Sequence, residues 1–289
     1  MRILALAILM LAAAAARPSL AQQPGQETFP SAEAASGAIY SAVQHNDEQG
    51  VLQILGCGKE LVSADDAVLD KLERKQFVRK YREMHRLVAE PNGTTLLYIG
   101  AENWPFPFPL VSINGAWHFH ADTGTKEVQF RRIGENELTA IEASHALVTA
   151  EKQYKAKSGV DSTAQYARTI VGVHHALFQP GVDDDAFDAL LASAGSDRHP
   201  VPFRGYLFRL VTAQGKHAPG GAKSYIAGGE MTGGFAVVAY PAQYRASGVM
   251  TFIVGADDIV YEKDLGPDTA NLATTMTAYD PGPRWKRIE

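Results

Sequence analysis

The hydrophobic positions along this chain alternate between a helical period and a strand period. From Ser31 to about Asn46, Ala35, Ala38, Ile39, Ala42 and Val43 recur at helical spacing, so one face of a helix is apolar. Ser31 follows Pro30 and suits the N-cap, because its hydroxyl can accept from a free amide of the first turn. Glu48–Leu55 predicts a short second helix that ends at Gly56-Cys57-Gly58. Asp65 or Asp66 then opens a longer helix in which Leu69, Leu72, Phe77, Tyr81, Met84 and Val88 fall three to five residues apart. After Pro91-Asn92-Gly93 the period shortens. Thr94–Ile99, Leu110–Ile113 and Ala116–Ala121 predict strands. Asn114-Gly115 joins the last two, and both residues tolerate the positive φ of a tight primed turn.

The cycle then repeats. Glu135–Tyr154 predicts a helix with Leu138, Ile141, His145 and Val148 along one face, followed by a loop at Lys157–Thr163. His174–Phe178 and Ala186–Ala192 are short helical stretches, and Ser193–Arg204 reads as a linker. Between Gly205 and Gly266 lie strands at Tyr206–Val211, Phe235–Tyr240, Val249–Val254 and Ile259–Lys263, the last two forming a hairpin about Gly255–Asp258. The expected class is α+β, in two parts. Residues 29–133 resemble a cystatin-like cone, helices packed on a curved antiparallel sheet, and residues 134–266 form a second helix-plus-antiparallel-sheet domain. Residues 22–28 are expected to be a disordered leader and 267–289 a Thr/Ala-rich tail.

The N-terminus changes where the chain is expected to work. Arg2, the apolar Ile3–Ala16 and the small-residue site Ser19-Leu20-Ala21 make residues 1–21 an expected secretory signal peptide. The apolar run stops at Arg17-Pro18, short of the roughly 18 residues a membrane span needs. A periplasmic or secreted protein with no transmembrane anchor after cleavage is therefore expected. At about 100–200 residues per domain, residues 22–289 accommodate two domains. The formal net charge is −5 and becomes more negative once Arg2 and Arg17 are removed, which argues against nucleic acid as a partner. Cys57 is the single cysteine, so packing and not an internal disulfide must stabilise the fold.

Three stretches together resemble a known group: WPFPFPLV at Trp104–Val111, RRIGENELTAI at Arg131–Ile141, and the Gly205–Gly266 segment. They resemble an exported bacterial family catalogued as domain-of-unknown-function family 2950, over about Phe29 to Pro281. That resemblance implies no reaction and no functional residue. The order of elements from Asn136 onward is also similar to the globular heads of pilin-like proteins. Those proteins precede the same helix with a long apolar membrane segment, whereas here the charged Lys126–Arg132 stands there. That second resemblance implies head topology only.

Few residues point to chemistry. His118 and His120, two apart on an expected strand, would leave the same face and could serve a zinc or copper ion given further ligands. The alternating aromatics and prolines of Trp104, Phe106 and Phe108, with Trp117, could form a stacking platform for a ligand or simply cover the core. Cys57 has Lys59 and His45 nearby in sequence, yet no fixed base, so a packed thiol is expected. Gly215–Ser224 lacks the Gly-Lys-Ser/Thr succession of a phosphate loop, and Asp183–Asp185 lacks the Gly and terminal Glu of a calcium loop. His145, His174 and His175 read as packing or surface residues. GxSxG, SxxK and HExxH are all absent. The sequence therefore leads to an exported protein acting by binding or assembly on an envelope protein or a small ligand, with no cofactor. A metal-dependent hydrolase using His118 and His120, or a pilin-like assembly subunit, are the alternatives.

Overall fold

The computed structural model describes residues 22–62, 67–158, 164–170 and 201–288. The expected signal peptide, the opening of the third helix at Asp65 or Asp66, most of the Lys157–Thr163 loop, and the stretches with His174, His175 and Asp183–Asp185 lie outside these residues. The chain forms two compact units that divide after Val128. Both mix helices with antiparallel sheets, so the fold class is α+β.

In the N-terminal unit, α1 (Ala32–Gln44) begins where Ser31 accepts from the Ala34 amide at 3.1 Å. It buries Ala35, Ile39 and Ala42 on one face. Helix α2 (Glu48–Leu55) starts at Asp47, whose carboxylate accepts from Gly50 N at 2.9 Å, and ends at Gly56 with a left-handed φ of 66°. Helix α3 (Ala67–Glu83) turns Phe77 and Tyr81 to the core, while Leu72 remains 57% exposed. The Tyr81 hydroxyl meets the Ser36 hydroxyl at 2.9 Å and its ring stacks on Tyr40 at 4.5 Å, pinning α3 to α1.

Helical spacing through Met84 and Val88 predicts a longer α3 than is observed. The chain leaves the helix after Glu83 and His85–Ala89 becomes strand β1, paired antiparallel with β2 (Thr95–Ile99) from His85↔Ile99 to Ala89↔Thr95. The last turn of α3 is closed from outside: Gly100 N donates to the carbonyls of Lys80 and Met84. Strands β3 (Trp104–Pro105), β4 (Leu110–Ile113) and β5 (Ala116–Phe119) complete a five-stranded sheet in which β3 lies beside β2 and the main path runs β1-β2-β4-β5. Asn114 and Gly115 turn between β4 and β5 with φ of 52° and 82°, as their residue types require.

The leader expected to be disordered is ordered at its inner end. Gln26 is buried, and its amide donates to the carbonyls of Ile54 (3.1 Å) and Phe119 (2.7 Å). Phe29 then exchanges both backbone hydrogen bonds with Trp117. A polar side chain that satisfies two inward carbonyls leaves no hydrophobic trace in the sequence.

The return strand ends at Phe119, short of the expected Ala121, because helix α4 (Ala121–Ser158) begins there and contains the whole of the predicted Glu135–Tyr154 helix. The division between units falls inside α4.

In the C-terminal unit, β6 (Tyr206–Val211) is followed by the short strands β7 (Ala213–Gln214), β8 (Lys223–Ser224), β9 (Ile226–Ala227) and β10 (Glu230–Met231). Next come β11 (Ala236–Pro241), β12 (Met250–Gly255) and β13 (Val260–Asp264), then α5 (Thr269–Thr275), β14 (Ala278–Tyr279) and β15 (Lys286–Arg287). The main sheet runs β15-β13-β12-β11-β6, all antiparallel. Every residue of β11 is buried, so both faces of the sheet are covered. Phe208, Ala239 and Phe252 stand opposite one another on one face. On the other, Arg209 donates to the Ala273 and Met276 carbonyls, closing the end of α5. The expected tail is thus part of this unit: it supplies α5, the buried Ala273 and Tyr279, and the edge strand β15.

Polar contacts hold α4 to the loop before β12. Glu137 accepts from Val249 N (2.8 Å) and Met250 N (3.0 Å), and Asn136 donates to the Ser247 carbonyl at 2.8 Å. Tyr206 donates to the Met250 carbonyl at 2.8 Å. Burial first, and then the neighbouring Glu137, keep that phenol protonated far above the ordinary tyrosine range.

Glu151 of α4 carries a testable cost. It is fully buried; Oε2 accepts from Ala167 N at 2.9 Å, and Oε1 has no hydrogen-bond partner among the described residues. Burial pushes its carboxyl up to about 8, and the single amide only partly opposes this. Between the ordinary 4.5 and about 8 the folded chain keeps a proton that the unfolded chain has released, so stability falls as pH rises through that window. At about 1.4 kcal/mol per unit, the loss from about pH 5 to about pH 7.5 is on the order of 3 kcal/mol. Thermal unfolding is expected to show the wild type weakening across this range and Glu151→Gln holding level, with the variant the more stable at the upper end. Parallel pH profiles for the two proteins would contradict this account.

Candidate functional site

The N-terminal unit contains a cavity of about 270 Å³. Helix α1 contributes Ile39, Ala42 and Val43 to its wall, α2 contributes Val51 and Leu55, and Phe77 comes from α3. Phe106, Pro107 and Phe108 close another side, with Val128 from the first turns of α4. Asn46, Asp47, Glu48, Glu73 and Arg74 are the polar residues that line it. A mostly apolar cavity with a small number of polar groups is the usual form of a small-molecule site.

Its acidic groups are already committed. Asp47 caps α2, Glu48 pairs with Lys59 at 3.2 Å, and Glu73 is engaged as well. Arg74 differs: its Nε is buried and has no hydrogen-bond partner among the described residues.

Of the aromatics singled out in the sequence, Phe106 and Phe108 line this cavity. Trp104 and Trp117 pack on the core of the unit without forming its wall. The prolines between the aromatics do not produce one exposed platform, since Phe106 and Phe108 are both buried. Phe106 packs edge-on to Phe119 at 5.8 Å and lies 5.9 Å from Phe108.

Only one of His118 and His120 lies within a strand. His118 is on β5 and buried, whereas His120 lies past the end of that strand. His120 starts α4 instead: its carbonyl accepts from Gly124 N at 3.0 Å and its Nδ1 accepts from Thr123 N at 3.3 Å, the role of an N-cap. Both histidines are engaged. Among the described residues, no three His, Cys, Asp or Glu side chains are grouped to hold a metal ion. His145 faces Asp258 at 2.8 Å in the C-terminal unit.

Arg74 was missed by reading periodicity. It occupies the core-facing side of α3 with Asp70, Phe77 and Tyr81, at steps of four, three and four residues. A charged residue at an apolar helical position is a usable signal, because such a group rarely enters an interior without a partner.

A family model described as "Protein of unknown function (DUF2950)" matches residues 26–288. No curated protein and no solved structure matches the chain. The match begins at Gln26, the first buried residue among those described.

Cys57 sits against the core beside the cavity-forming helices. Burial, and then the charge of Glu60, push its thiol up to about 11. A nucleophile needs the opposite shift. Against a free thiol near 8.5, alkylation by iodoacetamide at about pH 8 is expected to be roughly 10²-fold slower in the folded protein and to recover in denaturant. Alkylation at the free-thiol rate in the folded state would contradict this placement.

Proposed function

We propose, for a chain that belongs to the DUF2950 family of proteins of unknown function, that it is an exported binding protein whose N-terminal unit takes up a small apolar ligand. The observation that carries the reading is the cavity of about 270 Å³ walled by α1, α2, α3 and the Phe106–Phe108 segment. The leader Met1–Ala21, with its charged start, apolar run and small-residue site, supports export. No helix among the described residues is long and apolar enough to cross a membrane. The reading assigns no reaction. The inward thiol of Cys57 and the capping role of His120 give structural accounts of the two residue types most easily read as catalytic.

Apolar contact with the wall supplies the driving force, at about 25 cal/mol per Å² removed from water, less the cost of immobilising the ligand. Binding of neutral N-phenyl-1-naphthylamine, followed by its fluorescence, tests the reading. The wild type is expected to bind one equivalent. Ala42→Phe and Val51→Phe, each placing a ring in the cavity, are expected to weaken binding at least tenfold while keeping a cooperative melt. An absence of binding by the wild type, or unchanged affinity in both folded variants, would overturn it.

A further inference from the structure

We propose that the outward ridge of α4 from Phe130 to Leu138 is where a second copy of this chain docks, helix against helix and antiparallel, with Gly134 at the crossing. This inference is independent of the cavity and its ligand. Phe130 is 73% exposed and Leu138 65%, the two most exposed large hydrophobic side chains among the described residues. They stand four residues on either side of Gly134, so the three form one ridge along the helix. Gly134 is exposed, and a Cβ added there would meet only open space, so no close contact within the protomer requires a glycine. Glycine weakens a helix interior relative to alanine, and its place on this ridge is accounted for by a second backbone passing close to it. The far side of the same turns is already held. Gln129 donates to the Arg245 carbonyl, Asn136 and Glu137 bind the loop before β12, and Ala140 is buried. The ridge is thus fixed facing outward before any partner arrives.

Charge selects the second copy and its direction. N-terminal to Gly134 the helix carries Arg131 and Arg132, and C-terminal to it Glu135, Glu137 and Glu142. A copy laid antiparallel sets each basic half against the other's acidic half, whereas a parallel copy would set like against like. Ridges made of every fourth residue run alongside one another when two helices cross at about −50°. Around a two-fold axis at Gly134, that crossing brings Phe130 of one copy beside Leu138 of the other and Arg131 of one beside Glu135 of the other. Each contact is made twice, as an isologous interface requires. Two large side chains from each copy make a small apolar centre, at the low end of specific interfaces, so the dimer is expected to dissociate in the micromolar range.

Sedimentation equilibrium of the exported protein, expressed as the full chain, tests this over roughly 1–200 µM. The wild type is expected to show a reversible monomer–dimer equilibrium. Gly134→Gln, a better helix former whose side chain stands where the second backbone would pass, should melt no lower than the wild type and remain monomeric. Leu138→Ser should weaken the dimer at least tenfold. Arg131→Glu and Glu135→Arg, which set like charges against each other across the crossing, should each be monomeric alone and dimerise when the two are mixed. A role confined to one chain would not be restored by mixing. A wild type that stays monomeric throughout would overturn the second copy and leave the ridge to a different protein. Dimers undiminished in both Gly134→Gln and Leu138→Ser would put the interface on another surface and overturn this one. No recovery on mixing the folded charge variants would overturn the antiparallel arrangement, and an assembly larger than a dimer would overturn the closed two-fold. Should the charge variants not fold, Gly134→Gln and Leu138→Ser decide the matter.

Discussion

One wall of the cavity in the N-terminal unit is set by the close approach of Phe108 to Gly124. A Cβ at Gly124 would overlap the Phe108 ring, so only glycine allows that ring to lie against the first turn of α4. Glycine inside a helix costs about 1 kcal/mol relative to alanine, a cost that makes sense where a ring must come this close to the backbone. In that position Phe108 lines the cavity together with Phe106 and Pro107. His120 fixes the same turn from the other end by capping it, so the residue most suggestive of metal chemistry in the sequence belongs to the framework of the cavity.

The C-terminal unit is built on a different constraint. Strand β11 is buried along its whole length, which demands cover on both sheet faces. Apolar residues of α4 join its core, and Arg209 holds α5 over the opposite face. Backbone groups at the entry to β12 are satisfied by Glu137 and Tyr206, side chains distant in sequence. This unit also keeps side-chain oxygens of Glu151, Thr251 and Tyr279 buried without a hydrogen-bond partner among the described residues.

What was legible in the sequence had local causes. Ser31 as a cap, the bounds of α2 between Asp47 and Gly56, the Asn114-Gly115 turn and the hairpin of β12 and β13 each follow from residue types acting on their own backbone. What was not legible depends on partners far along the chain. Val88 fits the period of α3 but pairs with Leu96 across a turn, and nothing within α3 announces its end at Glu83. The first turns of α4 carry Thr123, Gly124 and Thr125, a poor helical signal that the His120 cap and the packing of Phe108 override. Half of the aromatic group named from sequence lines the cavity, because alternation with proline indicates which side chains share a side but not what faces them. Arg74 was hidden by its own type, since a charged residue is read as surface until its buried face is seen.

A preformed chamber with a largely apolar wall is tested directly by xenon. Apolar cavity space takes up the gas under pressure without needing any polar contact. In xenon-pressurised crystals of the ligand-free protein, the account predicts a xenon peak bounded by Ile39, Val43 and Phe106 with those side chains in place. Rings of Phe77 and Phe106 turned inward to fill the space, with no xenon bound there, would contradict it.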